Sequence, residues 1–203
     1  MKTLILFSTI IFSNFSYAIV NEIGFDFGYD IQKYGSSRQN SIVSRSYSGG
    51  ISSYIFTSTA IDLNFSNSQD TTTENNRYNV ATGYDIVGQQ NRVKTTVYGI
   101  GIKQALAPKT SFIVPLISVG YARQFVDYTT DITVENTTTK ARSIVSSGSS
   151  KERTDSVFAS FVLQLKLTDR FSLKGSVKTI FPAFEFSKAK DDMKYLVGFS
   201  WMF

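Results

Sequence analysis

From residue 20 onward, bulky apolar side chains recur at every second position in one run after another, the repeat of an extended strand rather than of a helix. Ile23, Phe25, Phe27, Tyr29 and Ile31 alternate with Glu22, Gly24, Asp26, Gly28 and Asp30. Ile61, Leu63 and Phe65 interleave with Asp62, Asn64 and Ser66, and Val157, Ala159, Phe161, Leu163 and Leu165 with Phe158, Ser160, Val162, Gln164 and Lys166. Phe171, Leu173, Gly175 and Val177 alternate with Ser172, Lys174, Ser176 and Lys178. The last run sets Tyr195, Val197, Phe199, Trp201 and Phe203 against Leu196, Gly198, Ser200 and Met202. No stretch carries a convincing amphipathic helical repeat, so the pattern predicts an all-β chain.

Eight strands are expected, over 20–32, 41–56, 60–68, 92–106, 111–129, 153–167, 171–181 and 193–203. Their connections alternate in length. Thr57-Ser58-Thr59, Ala107-Pro108-Lys109-Thr110 and Thr168-Asp169-Arg170 are tight turns, whereas 33–40, 69–91, 130–152 and 182–192 are longer and polar. Antiparallel up-and-down strands, with short turns at one end and long loops at the other, produce that order. A ten-strand alternative stays open, because Tyr78–Val87 and Ala141–Ser146 each have some strand character. Counting them as full strands would move the Ala107–Thr110 turn to the long-loop side, so they are read as excursions of the hairpins. The Ser/Thr/Asn-rich stretches Ser66–Asn76 and Thr129–Ser150 have the composition of solvated loops.

Alternation alone also fits a soluble sandwich or a lipocalin-like barrel, with the apolar set facing inward. The sizes of the side chains decide between them. One face is large and aromatic for about ten residues per strand, the length a tilted strand needs to cross hydrocarbon, while the other is biased to Gly and Ser. An eight-stranded barrel has an interior only just wide enough for side chains, so rows such as Phe25, Phe27 and Tyr29 belong outside, against lipid. Closure also pairs every backbone donor and acceptor, as hydrocarbon requires. The predicted fold is a closed antiparallel transmembrane β-barrel over residues 19–203.

Residues 1–18 have the form of a cleavable signal peptide: Lys2, a mostly apolar stretch over Leu4–Phe12, and a small-x-small site at Ser16-Tyr17-Ala18. The apolar stretch is too short for a membrane-spanning helix. The last strand ends Tyr195-x-Val197-x-Phe199-x-Trp201-x-Phe203, which resembles the C-terminal assembly signal of bacterial outer-membrane proteins. Val114-Pro115-Leu116-Ile117-Ser118-Val119-Gly120-Tyr121 similarly resembles the Pro-aromatic-x-Gly-x-Gly strand of the small OmpA/OmpX/opacity-type barrels. It departs from that pattern with Leu116 at the aromatic position and Ser118 at the first glycine. The resemblance implies the fold, the bacterial outer membrane as compartment, and an assembly machinery that reads Phe203. It implies no particular ligand.

With the large residues outside, Glu22, Asp26, Asp30 and Asp62 point inward, as do Lys103, Lys166, Lys174, Lys178 and Lys194. Such an interior calls for mutual pairing, since an isolated buried ion is costly. It reads as a salt-bridged core or as a path for ions and small solutes. Strand direction puts Asp30 and Lys194 together near the outer end.

The chain has no histidine and no cysteine, which removes Ser-His-Asp chemistry, histidine metal cages and cysteine-held zinc or iron–sulfur clusters. No catalytic site, metal or cofactor is predicted. The net charge of +5 is too diffuse to indicate nucleic acid. The Asn136-Thr137-Thr138 sequon carries no glycan implication in an exported bacterial chain. Expected partners are outer-membrane lipid and lipopolysaccharide, the assembly machinery, and host or envelope surfaces met by the long loops; the barrel is expected to be a monomer. Arg38, Arg45, Arg77, Lys140, Arg142, Lys151 and Arg153 provide cations for anionic headgroups or polysaccharide, though Asp70, Glu74, Asp85, Asp131, Glu135 and Glu152 share the same regions.

Overall fold

The computed structural model describes residues 20–108, 110–183 and 193–203. The predicted signal peptide, Lys109 and most of the connection over 182–192 lie outside them. The elements in chain order are β1 (Val20–Tyr34), β2 (Asn40–Tyr54), β3 (Thr59–Glu74), β4 (Tyr78–Ala81), β5 (Tyr84–Ala105), β6 (Ile113–Asn136), β7 (Arg142–Ser146), β8 (Ser150–Lys166), β9 (Phe171–Pro182) and β10 (Lys194–Met202). All pairings are antiparallel. β1 pairs with β10 and β5 with β6, so β1, β2, β3, β5, β6, β8, β9 and β10 close into a ring. The ring is the predicted eight-stranded barrel.

The register sets its dimensions. From Ile113 on β6, partners run through Leu165, Leu173, Phe199, Phe25, Gly49, Phe65 and Tyr98 and return to β6 at Arg123, ten residues further along the same strand. Eight strands with that stagger tilt by about 40° and give a backbone cylinder of roughly 8 Å radius.

The outward rows are those predicted. Phe25, Phe27, Phe161 and Phe199 are 51%, 54%, 43% and 43% exposed, and the Phe25 and Phe199 rings meet on the outer surface with centroids 5.6 Å apart. Given the tilt, Tyr29, Tyr47, Tyr98, Tyr121 and Tyr195, all exposed, form a belt round the long-loop end of the apolar band. Phe56, Phe112, Trp201 and Phe203 mark the short-turn end. Tyrosine and tryptophan suit such boundaries because the ring is apolar and its tip is polar.

The long connections are more ordered than their composition predicts. β3 runs to Glu74 and β6 to Asn136, through Ser/Thr/Asn-rich sequence that reads as loop. The connection over 33–40 shrinks to a tight turn between Tyr34 and Asn40. The reason is cooperative: Thr71, Thr72 and Thr73 pair with Arg92, Asn91 and Gln90, and β-branched threonine suits a strand once a neighbour supplies the ladder. β4 and β7 are the two excursions foreseen within 69–91 and 130–152. They flank the tip of the β5–β6 hairpin and add a small four-stranded sheet beyond the barrel wall. Gly83 turns β4 into β5 with a φ of 89°, a left-handed conformation open to glycine at little cost.

Candidate functional site: the plugged lumen and the outer tip

The inward face divides into two walls. β1, β2, β3, β9 and β10 carry most of its charges and hydroxyls, joined by Lys103 from β5 and Lys166 from β8. β5, β6 and β8 instead present Val97, Ala105, Val114, Leu116, Ala122, Val126, Phe158 and Val162, all buried. The wholly polar filling expected from the Gly/Ser bias is therefore half right: an apolar ridge runs up one side. Phe158 is its largest member and packs with Val97, Ala122 and Ile180. Glycines opposite make room for it. Gly101 and Gly120 are cross-strand partners, and a Cβ on either would come within 2.7 Å or 2.6 Å of the Phe158 ring.

The interior charges pair from the short-turn end upward. Lys103 Nζ lies 3.4 Å from Asp62 and 3.9 Å from Glu22. Ser52 Oγ donates to Asp62 at 2.7 Å, and Tyr54 OH donates to Glu22 at 2.8 Å. Glu22, Ser52, Tyr54 and Asp62 are all buried, so this cluster excludes solvent. At mid-height Lys174 contacts Asp26 at 3.0 Å. Above it Lys178 donates to Asn64 Oδ1 at 3.3 Å and stands 5.6 Å from the centre of the Phe158 ring. Lys166 faces inward at the short-turn end, opposite Ser172. Lys194 does not meet Asp30. It pairs with Asp70 at 3.6 Å and donates to Ser68 Oγ at 2.7 Å, while Asp30 is exposed and, among the described residues, accepts a bond from Gln32 alone. The tilt explains the exchange, because it carries the inward row of β3 past the outer end of β10.

Above Lys178 the lumen opens into a cavity of about 230 Å³ lined by Ser46, Ser48, Ser68, Thr95, Gln124 and Val126 among others. Below it only about 60 Å³ remains, between Asp26, Asp62, Lys103, Lys174 and Phe158. Lower still, Val114, Leu116, Gln164, Ser172 and Ser200 are sealed. The barrel is a cup with a blocked floor.

The outer tip has its own ionic cluster. Arg77 donates to Asp85 at 2.7 Å and to Glu135 at 2.6 Å, and Arg142 donates to Glu135 at 2.9 Å, tying β4, β5, β6 and β7 together. The Arg142 hydrogen bond, with Arg77 beside it, holds the Glu135 carboxyl below its ordinary value; that from Arg77 does the same for Asp85. A depressed folded pKa adds stability that is complete above the ordinary carboxylate range and is lost as pH falls through the folded values. Amide exchange of the tip over 77–86 and 133–146 should therefore be flat from neutral pH down to about pH 5 and speed up, after correction for intrinsic rates, by about pH 3. Unchanged protection at the lower pH would refute the ionic account of the tip.

No family model matches the sequence, and no curated protein does. Solved structures do match. The N-terminal β-barrel domain of Pseudomonas aeruginosa OprF is 13% identical, with a TM-score of 0.51 and coverage of 91% of this chain and 97% of that one. The outer membrane protein OprG from Pseudomonas aeruginosa is 10% identical, also at 0.51, over 91% and 95%. The chain has the fold of the small outer-membrane β-barrels. Within such a barrel, inward direction could be read from alternation alone, as it was for Glu22, Asp26, Asp62, Lys103, Lys174 and Lys178. Asp70 reads from sequence as a loop acid, because composition ends its strand at residue 68 whereas the strand runs to Glu74. Phe158 falls in the inward phase of its repeat, but neither it nor Tyr54 belongs to the predicted interior set, which names only charged residues.

Proposed function

We propose that this chain is a non-enzymatic integral barrel of the bacterial outer membrane, working as a structural and surface-interaction element through its outer tip. One observation carries the reading: the lumen is closed at its floor while an ordered, ion-paired sheet projects past the tyrosine belt. Solute passage needs a continuous opening, and the sealed residues between Phe158 and the short turns deny one. The projecting sheet offers exposed Tyr78, Val80, Tyr84, Ile144 and Val145 to the outside. Exposed apolar side chains grouped on a rigid support are characteristic of contact surfaces. Lipid, including lipopolysaccharide, surrounds the wall, envelope or host surfaces meet the tip, and the assembly machinery engages the last strand through Phe203. A ring without an open edge inside the membrane supports a monomer.

Purified protein in a planar bilayer should give no stable single-channel steps, and removing the tip over 77–86 and 137–146 should abolish cell-surface binding while leaving the heat-modifiable folded form intact. Reproducible conductance steps in the wild type would replace this reading with the narrow-channel one.

A further inference from the structure

We infer that the outward face of β2, β3 and β5, just beyond the tyrosine belt, is a binding site for the phosphorylated headgroup of an outer-leaflet glycolipid. The inference rests on the outer-membrane reading and adds to it a place and a chemistry.

Register alone assembles the patch. Arg45, Gln69 and Lys94 stand side by side on the three neighbouring strands, and the next outward row is Val43, Thr71 and Arg92. Alternation and exposure put both rows on the lipid side of the wall, in line with Tyr47, Phe65 and Tyr98. Arg45, Gln69, Val43, Thr71 and Arg92 line a groove of about 260 Å³ with no carboxylate among its described lining residues, and Lys94 stands beside it. Arg45 packs over the Tyr29 ring at 5.8 Å, which positions its guanidinium at the edge of the belt, and among the described residues it has no ion-pair partner. Lys94 is exposed and likewise has none among them. Arg92 donates to Gln90 and lies 4.0 Å from Asp131, which with Asp127 borders the patch on β6.

The opposite sector differs. There Arg123 is held by Asp155 at 3.2 Å, and Tyr121 OH donates to the same carboxylate, so this cation is already matched, and Arg153 stands on the same carboxylate's strand. The β2–β3–β5 sector thus combines excess positive charge, hydroxyl and amide donors, and an aromatic floor facing the acyl region. A phosphate on an amphiphile fits that order: guanidinium forks pair with phosphate oxygens while the chains continue down past Tyr29 and Tyr47. A soluble anion would have no use for the adjoining apolar wall.

The test uses the full barrel folded in detergent, with three probes: diphosphorylated lipid A, the same lipid lacking both phosphates, and inorganic phosphate. Bound lipid is counted by native mass spectrometry, and the temperature at which the folded band is lost on a heat-modifiability gel is recorded. The phosphorylated lipid should stay bound and raise that temperature, whereas the other two should not. R45Q/R92Q should weaken retention on the order of tenfold, with R153Q on β8 leaving it unchanged. Lys94→Gln, at an exposed position with no ion pair to lose among the described residues, gives the same direction of change. Equal retention by R45Q/R92Q and K94Q overturns the site, and an equal effect of inorganic phosphate reassigns it to a free anion. Failure of the wild type to insert into lipid vesicles would instead sink the outer-membrane reading, while insertion without phosphate dependence sinks this inference alone.

Discussion

Replacing Lys103 with methionine is expected to cost about 3–5 kcal/mol of barrel stability, because it leaves carboxylates in a sealed site without their cation. Glu22 and Asp62 are almost fully buried, and Lys103 is the cation that reaches both among the described residues. Tyr54 and Ser52 give each carboxylate one hydroxyl donor, but a hydroxyl solvates an anion and does not neutralise it. The consequence is a specific rescue. In K103M/E22Q/D62N all three groups are uncharged, Gln and Asn keep acceptor oxygens for Tyr54 and Ser52, and most of the loss should return. Urea unfolding in lipid vesicles, followed by tryptophan emission of Trp201, measures it. If K103M is as stable as the wild type, the ion cluster is not what holds the short-turn end of the lumen together. If K103M is destabilised but the triple variant is no better, the lysine acts by packing its stem and not by its charge.

The contrast between legible and illegible parts follows the range of the physics involved. Which face a strand residue occupies depends only on its position in the two-residue repeat, so Phe25 and Asp26 were separable at once, and so were the two sides of β3, β8, β9 and β10. The ring followed from the alternation of tight turns with long connections. Where each strand stops is a different question, because it depends on whether a neighbour supplies a ladder. Nothing local in Thr71-Thr72-Thr73 announces that Arg92, Asn91 and Gln90 lie alongside. Asp70 reads as a loop acid for that reason, and the lysine expected beside Asp30, Lys194, pairs with Asp70 instead. Stagger around the ring decides which charges share a height, and it is a sum over every strand pair, invisible to any single segment. The lumen's apolar ridge had another cause. Phe158, Leu116 and Val162 sit in the inward phase of their strands, but large side chains were expected outside on grounds of volume. Gly101 and Gly120, on adjacent strands, create the space that makes an inward phenylalanine admissible. That is a long-range pairing, and it shows only once register is known.

The same pairing sets up the second large effect. Phe158→Ala should destabilise the barrel by about 3–5 kcal/mol, the range for removing a buried phenylalanine when its surroundings cannot collapse. Collapse is blocked here because the walls around the ring are hydrogen-bonded strands of a closed cylinder, and Val97 and Ala122 are held in place by their backbones. The void would enlarge the space of about 60 Å³ that the ring lines beneath Lys178. Lys178 would lose its aromatic neighbour in the process. The barrel should nevertheless remain non-conducting, because Leu116, Val114, Gln164 and the Lys103 cluster still close the floor beneath. Two measurements separate these claims: unfolding in vesicles for the stability loss, and planar-bilayer recording for closure. Stable conductance steps in F158A would mean that the phenylalanine alone is the gate. A loss below about 1 kcal/mol would mean that the strands do relax around the gap, contrary to the rigidity argued from the ring. Leu at position 158 offers a graded check, since it refills most of the volume and should recover over half of the loss with no change in conductance.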